Sequence, residues 1–241
     1  VNNDINYARI QNSIVGILVD SIGATTTPTL HIKNSQIYNS ANYGILGRET
    51  HIKGENIVIG NTGQSSLACT IGGTYNFTHS TFANYWNKGA RQLPAVIVNN
   101  YFTYTTAENQ EIIETRDLHA ANFTNCIIDG SNTIELLLDN ASGSIFNYSF
   151  KNNMIQFNDI ENTLSDLPEL DFTNAAHYTN NIINAAVHFK NTSTNEFNIG
   201  QDNEGINQGL KSAALLFPFD ILGADRTTNP DIGAYQHITF D

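Results

Sequence analysis

One six-residue pattern, apolar–any–Asn-like–small or polar–any–apolar, keeps returning along this chain, and it constrains the fold more than any other feature of the 241 residues. Copies begin at Ile10 (IQNSIV), Ile32 (IKNSQI), Ile52 (IKGENI), Phe77 (FTHSTF), Ile97 (IVNNYF), Phe123 (FTNCII), Phe150 (FKNNMI) and Tyr178 (YTNNII), at spacings of 22, 20, 25, 20, 26, 27 and 28 residues. The third position is Asn in six copies, Gly54 in one and His79 in one. Asn and Gly enter the left-handed backbone region at low cost, so a bend with positive φ between two short strands selects this set. The apolar positions on either side then point inward from their own strands.

A unit of about 22 residues with three short strands and three bends predicts an all-β chain wound as a parallel β-helix, a solenoid of about eight coils. Stacking buries the Ile and Phe positions as ladders and lets the bend asparagines hydrogen-bond along the axis. Leucine-rich repeats need a Leu consensus that is missing, and the copies show no 3.6-residue period. Composition agrees: Asn is the commonest residue, 34 of 241, and only 14% of residues are charged. Residues 1–195 are assigned to the coils and 196–241 to a capping segment of the same domain, with Val1 entering in mid-repeat. Longer units project loops, among them 87–94, with Lys88, Gly89 and Arg91, and 158–174.

Net charge is −12. Such a surface repels nucleic acid and anionic membranes, so neither is expected as a partner. No run of about 18 apolar residues is present, so no membrane-spanning helix is expected. The chain shows no signal peptide and reads as a mature or truncated form. Cys69 and Cys126 lie in apolar strand-like surroundings and read as buried thiols, with one disulfide as the alternative.

The closing stretch, with Asp220, Gly223, Asp225-Arg226 and Asp231-Ile232-Gly233-Ala234-Tyr235-Gln236, resembles the ending of bacterial right-handed parallel β-helix repeat proteins of the choice-of-anchor Q type. Phe197-Asn198-Ile199 and Gly205 to Gly209 match the strand and turn before that ending. Gln236 stands where Glu is usual, and the turn lacks its usual Ser-Pro. The resemblance implies a right-handed winding and a secreted or outer-surface protein of Bacteroidetes kind, anchored, where anchored, by an N-terminal lipid. Arg226 with Asp220 or Asp231 is expected to close the last coil as an ion pair. Asp20-Ser21-Ile22 matches a short O-glycosylation pattern of such surface proteins.

Several groups carry candidate chemistry. Aligning the first three copies stacks Arg9, His31 and His51 in one outward ladder and Gln11, Lys33 and Lys53 in another, with Arg48 nearby. This basic strip suits an acidic sugar, or a base and neutraliser for uronate β-elimination. His31 and His51 lack a third metal ligand. Tyr85, Trp86, Tyr101 and Tyr104 are candidates to stack on sugar rings. Asp166, Glu169 and Asp171, preceded by Asp159 and Glu161, suit Ca²⁺ by ligand type, though the spacing matches no known loop; Asp202, Asn203 and Glu204 form a second such cluster. Asp129, Glu135 and Asp139 share one coil without a glycosidase motif. The favoured reading is a non-catalytic surface or secreted scaffold binding a glycan or a partner protein, without an obligatory cofactor. A lyase acting on acidic glycans and a spacer of a larger surface protein are the alternatives.

Overall fold

The computed structural model describes residues 2–20 and 26–240. It is predominantly β, 45% strand and 5% helix, and its two large sheets are parallel. In chain order the strands are β1 (Asn3–Asn6), β2 (Arg9–Gln11), β3 (Val15–Val19), β4 (Leu30–Lys33), β5 (Gln36–Tyr38), β6 (Tyr43–Glu55), β7 (Val58–Gly60), β8 (Leu67–Thr78), β9 (Thr81–Asn84) and β10 (Val96–Asn99). There follow β11 (Tyr101–Thr105), β12 (Glu111–Thr115), β13 (Leu118–Thr124), β14 (Ile127–Gly130), β15 (Leu136–Asp139), β16 (Phe146–Lys151), β17 (Met154–Ile155), β18 (Tyr178–Thr179), β19 (Ile182–Ile183), β20 (Phe189–Asn191) and β21 (Glu196–Ile199). Among the described residues the helical part is two 3-10 turns, Pro168–Leu170 and Thr192–Thr194, and one short α-helix, α1 (Lys211–Leu216).

Pairing sorts these strands into three faces. The first holds β3, the start of β6, the start of β8, β10 and β15. The second holds β1, β4, the ends of β6 and β8, β13, β16 and β18. The third holds β2, β5, β7, β9, β14, β17 and β19. Strands β6 and β8 each turn from the first face to the second at a positive φ, at Glu49 and at Ile71–Gly73. An antiparallel hairpin, β11–β12, leaves after β10.

The bend between the second and third faces is occupied by Tyr7, Asn34, Asn56, His79, Asn125, Asn152 and Asn180, all at positive φ. Bend amides bond along the stack: Asn34 N–H reaches Glu55 O at 3.0 Å and Asn56 N–H reaches Thr78 O at 3.1 Å. Asn56 Nδ2 donates to Asn34 Oδ1 at 3.0 Å, and Asn34 Nδ2 to Asn6 Oδ1 at 2.9 Å. Three of the eight copies therefore need correcting. The third copy bends at Asn56, two residues after Gly54. Gly54 faces inward, where an added Cβ would meet the Phe77 ring at 2.5 Å, so glycine is there for space. Asn12 in the first copy belongs to a different bend, after the third face, with Asn39 and Asn61, likewise at positive φ. In the Ile97 copy, Ile97 pairs with Ala68 and Leu137 on the first face. Asn99 there accepts the Ile71 N–H at 2.8 Å and makes no such bend.

The interior is one apolar cluster built from inward positions of all three faces. Phe77, Phe123, Phe150 and Tyr178 stack in succession, at centroid separations of 5.4, 4.9 and 5.4 Å. Cys69 and Cys126 are buried free thiols.

The C-terminal segment and the loop 158–174 change roles relative to expectation. Residues 196–240 run along the side of the third face instead of closing an end. Outward positions there are apolar (Tyr38, Val58 and Ala83, then Ile127 and Met154) and are buried by Phe197, Ile199, Ile232, Ala234 and Tyr235. Such a face cannot be left in water, because each apolar side chain covered contributes about 1.5–3 kcal/mol. The loop 158–174 instead packs Leu164, Leu167, Leu170 and Phe172 on the core near β15 and β18. Arg226 also differs. It is fully buried, yet its guanidinium donates to the Gly233 and Ala234 carbonyls at 3.3 and 3.1 Å. The Asp220 carboxylate accepts from the Leu222, Ala224 and Gln236 N–H groups, and Asp231 accepts from those of Asn207 and His237. Burial lowers the Arg226 pKa to about 10, against the opposing pull of those two carboxylates.

Candidate binding groove

The expected basic strip is rearranged by the two-residue shift at Asn56. His31 lies beside Lys53 and Lys33 beside Glu55, while His51 pairs in register with Thr74. Arg9 sits on the third face, opposite Gln36, with its guanidinium 5.5 Å from the Tyr38 ring centroid. Carboxylates interleave with the cations. His31 Nε2 is 2.8 Å from Glu55 Oε2, Lys53 Nζ is 2.5 Å from Glu55 Oε1, and Lys33 Nζ is 3.4 Å from Asp4. Arg48 pairs with Asp20, whose carboxyl is held below its usual range by that guanidinium. The second face is thus charge-balanced at these rows.

Glu55 points outward from its strand and is nonetheless buried, because the segment after α1 passes over it. Asn56 Nδ2 ties that segment down by donating to Phe219 O at 3.0 Å. Between the two lies a groove of about 330 Å³. One wall is Tyr7, Lys33, Asn34, Glu55 and Asn56; the other is Leu216, Phe217, Pro218, Phe219, Asp220 and Gly223. Lys53 Nζ lies 5.6 Å from the Phe217 ring centroid. Tyr7, Leu216 and Phe219 are well exposed. Asn56 Oδ1 is buried without a hydrogen-bond partner. Of these residues only Lys33, with Lys53 beside the Phe217 ring, was a sequence candidate for binding. The signal for the rest is the run Leu215 to Phe219, which is too apolar for a solvated loop.

The four candidate aromatics do not share a platform. Tyr85 is partly buried, stacks edge-on against Phe189 and donates its hydroxyl to Asp129. Lys88 Nζ sits 5.5 Å from the Trp86 ring centroid. Tyr101 donates to Asp139 Oδ2 at 2.6 Å, a bond that raises its pKa to about 12. Tyr104, three positions on in the same hairpin strand and so on its opposite side, stacks on Phe102.

Burial pushes the Asp129 carboxyl up to about 6, partly offset by the Tyr85 hydroxyl. Its folded pKa exceeds its unfolded value, so the stabilisation is fully present below about pH 4 and is lost as pH rises through about 6. Wild-type protein is therefore expected to be about 2–3 kcal/mol less stable at about pH 8 than at about pH 4 from this group alone. Asp129→Asn should remove that component. Urea unfolding of both proteins across this range checks it, and identical pH slopes would count against the assignment.

The acidic loop does not gather a cation site. Asp171 caps its own turn through Thr173, Asp159 accepts the Thr163 and Leu164 N–H groups, and Glu169 accepts from Asn140 Nδ2 at 2.8 Å. Asn203 likewise turns back on the Gly205 N–H. Among the described residues no group of three His, Cys, Asp or Glu is placed to hold a metal, Asp166 included. The loop's leucines, which anchor it on the core, dictate its path. Ser21 and Ile22 of the glycosylation pattern, and Val1, lie outside the described residues. Among those residues no helix is long and apolar enough to cross a membrane. No protein-family model matches the chain, and neither the curated proteins nor the solved structures contain a match.

Proposed function

We propose that this chain is a right-handed parallel β-helix, secreted or displayed on a bacterial surface, that binds a neutral glycan without transforming it. The winding is supported by three faces visited in the same order as the chain advances, with parallel pairing within each face. Parallel crossover connections are right-handed in about 98% of cases, which supports the hand. The observation that carries the function is the groove, in which the apolar side chains of Phe217 and Phe219 on one wall face Tyr7 and the polar groups of Asn34, Glu55 and Asn56 on the other. A sugar ring presents the same division, with C–H faces for aromatic side chains and a hydroxyl edge for amides and carboxylates. The interleaved carboxylates and the net charge of −12 favour a neutral glycan over a uronate. The resemblance of the closing segment to surface β-helix repeat proteins supports the location.

A glycan array followed by calorimetry tests this reading. A neutral oligosaccharide should bind, and Phe219→Ala should weaken it at least about tenfold, equivalent to about 1.4 kcal/mol. Binding untouched by Phe219→Ala and Asn34→Ala would remove the groove from the account. A rise in absorbance at 235 nm on mixing with uronate polymers would replace it with a lyase.

A further inference from the structure

The second face carries another hollow in line with the groove. Strands β8 and β13 repeat one triplet, Asn76-Phe77-Thr78 and Asn122-Phe123-Thr124, and pair it position for position. In each copy the Phe points into the aromatic ladder, so by alternation the Asn and Thr face outward. In β16, Ser149 and Lys151 continue the two outward rows. Over these rows lies a hollow of about 350 Å³. Asn122 Nδ2 donates to Asn76 Oδ1 at 2.9 Å, which orients both amides. Among the described residues the hydroxyls of Thr78, Thr124 and Ser149 make no hydrogen bond to protein and are free to bond a ligand. The hollow adjoins the groove: Thr78 pairs with Glu55 and Glu55 with Lys33, both in the groove wall. From Lys33 through Glu55, Thr78 and Thr124 to Lys151 is four strand steps of about 4.8 Å, or about 19 Å. The C-terminal segment that forms the groove's other wall keeps to the same line. It is held by Asn56 Nδ2 donating to Phe219 O at 3.0 Å, Asn125 Nδ2 to Leu210 O at 3.2 Å and Asn152 Nδ2 to Gln208 O at 2.8 Å.

We propose that, given a neutral glycan in the groove, that glycan is linear and continues along the axis of the strand stack into this hollow, its rings meeting the Asn–Thr rows in turn. Successive rows present the same amide and hydroxyl at equal steps, and a polymer of identical rings presents its own hydroxyls in the same repeating way. Amides and hydroxyls both donate and accept, which suits sugar hydroxyls in either role. The Asn–Thr rows of β8 and β13 carry no charge, so a charged polymer gains nothing over a neutral one there. A branched or compact sugar would fill the groove and leave the hollow to water.

Calorimetry with cello-, xylo-, manno- and malto-oligosaccharides, each as the disaccharide and the hexasaccharide, tests the proposal. In at least one series the hexasaccharide should bind at least about tenfold tighter than the disaccharide. Thr124→Arg, which puts a long side chain across the floor of the hollow, should abolish that gain, and Asn122→Ala should reduce it. Circular dichroism of both variants should remain that of a folded β protein. Phe219→Ala should weaken both lengths. Equal binding of the two lengths, or a length gain untouched by both Thr124→Arg and Asn122→Ala, overturns the extension and leaves the groove reading standing. No binding in any series, or binding indifferent to Phe219→Ala at both lengths, overturns the extension and the groove reading together.

Discussion

Replacing Phe123 with alanine is expected to cost about 3–5 kcal/mol of folding stability. Phe123 is fully buried at the middle of the aromatic ladder. Its ring lies parallel to that of Phe150 at 4.9 Å, stacks on Phe77 at 5.4 Å and meets the edge of Phe82 at 6.0 Å. Removing it deletes the transfer energy of one aromatic side chain and three ring contacts together. It also leaves a cavity that cannot collapse, because the neighbouring rings are held by strand pairing above and below. Phe123→Leu keeps most of the volume and should cost clearly less. Urea unfolding monitored by far-ultraviolet circular dichroism provides the comparison. A loss under about 1 kcal/mol for the alanine variant would mean that the ladder is not packed as described.

Glu135→Ala is expected to be comparably severe, about 3–5 kcal/mol, although no hydrophobic contact is at stake. Glu135 and Arg91 have side chains 0% and 2% exposed and form a buried ion pair. Both carboxylate oxygens are in use: they accept from two nitrogens of the Arg91 guanidinium and from the Ala95 and Asn132 N–H groups. Burial raises the Glu135 pKa, opposed by the guanidinium. Truncation leaves a buried cation without its counter-charge, held only by the Leu93 and Asn84 carbonyls and the Ser131 hydroxyl, and strands two backbone donors. The double variant Arg91→Leu/Glu135→Leu should recover part of the loss, since it removes the stranded charge. If the single and double variants unfold at the same urea concentration, the pair is not coupled.

These two sites differ in how readable they were. Phe123 stood in the repeat with its Asn125 bend two residues on, so inward burial followed from alternation alone. Glu135 carried no such mark. Arg91 lies 44 residues away in a different loop, and nothing local connects the two. The same contrast runs through the candidate groove. Lys33 could be placed on an outward row because strand parity is a local property. The neighbour it meets depends on register, and register turned on whether Gly54 or Asn56 made the bend. Both residues tolerate positive φ, so local conformational preference could not choose between them. The Phe77 ring, one pass further on, excludes a side chain at position 54 and leaves the bend to Asn56.

The sequence by itself determined the strand-and-bend rhythm, the inward positions of most copies though not of the Ile97 copy, and the all-β class, because each rests on backbone preferences and alternation within about six residues. Tertiary structure alone decided which rows stand side by side, that residues 196–240 lie along the third face, and that Tyr7, Glu55 and Phe219 border one groove. Those outcomes depend on which apolar surface needs covering and what remains to cover it. That balance is struck across the whole chain and is written in no single repeat.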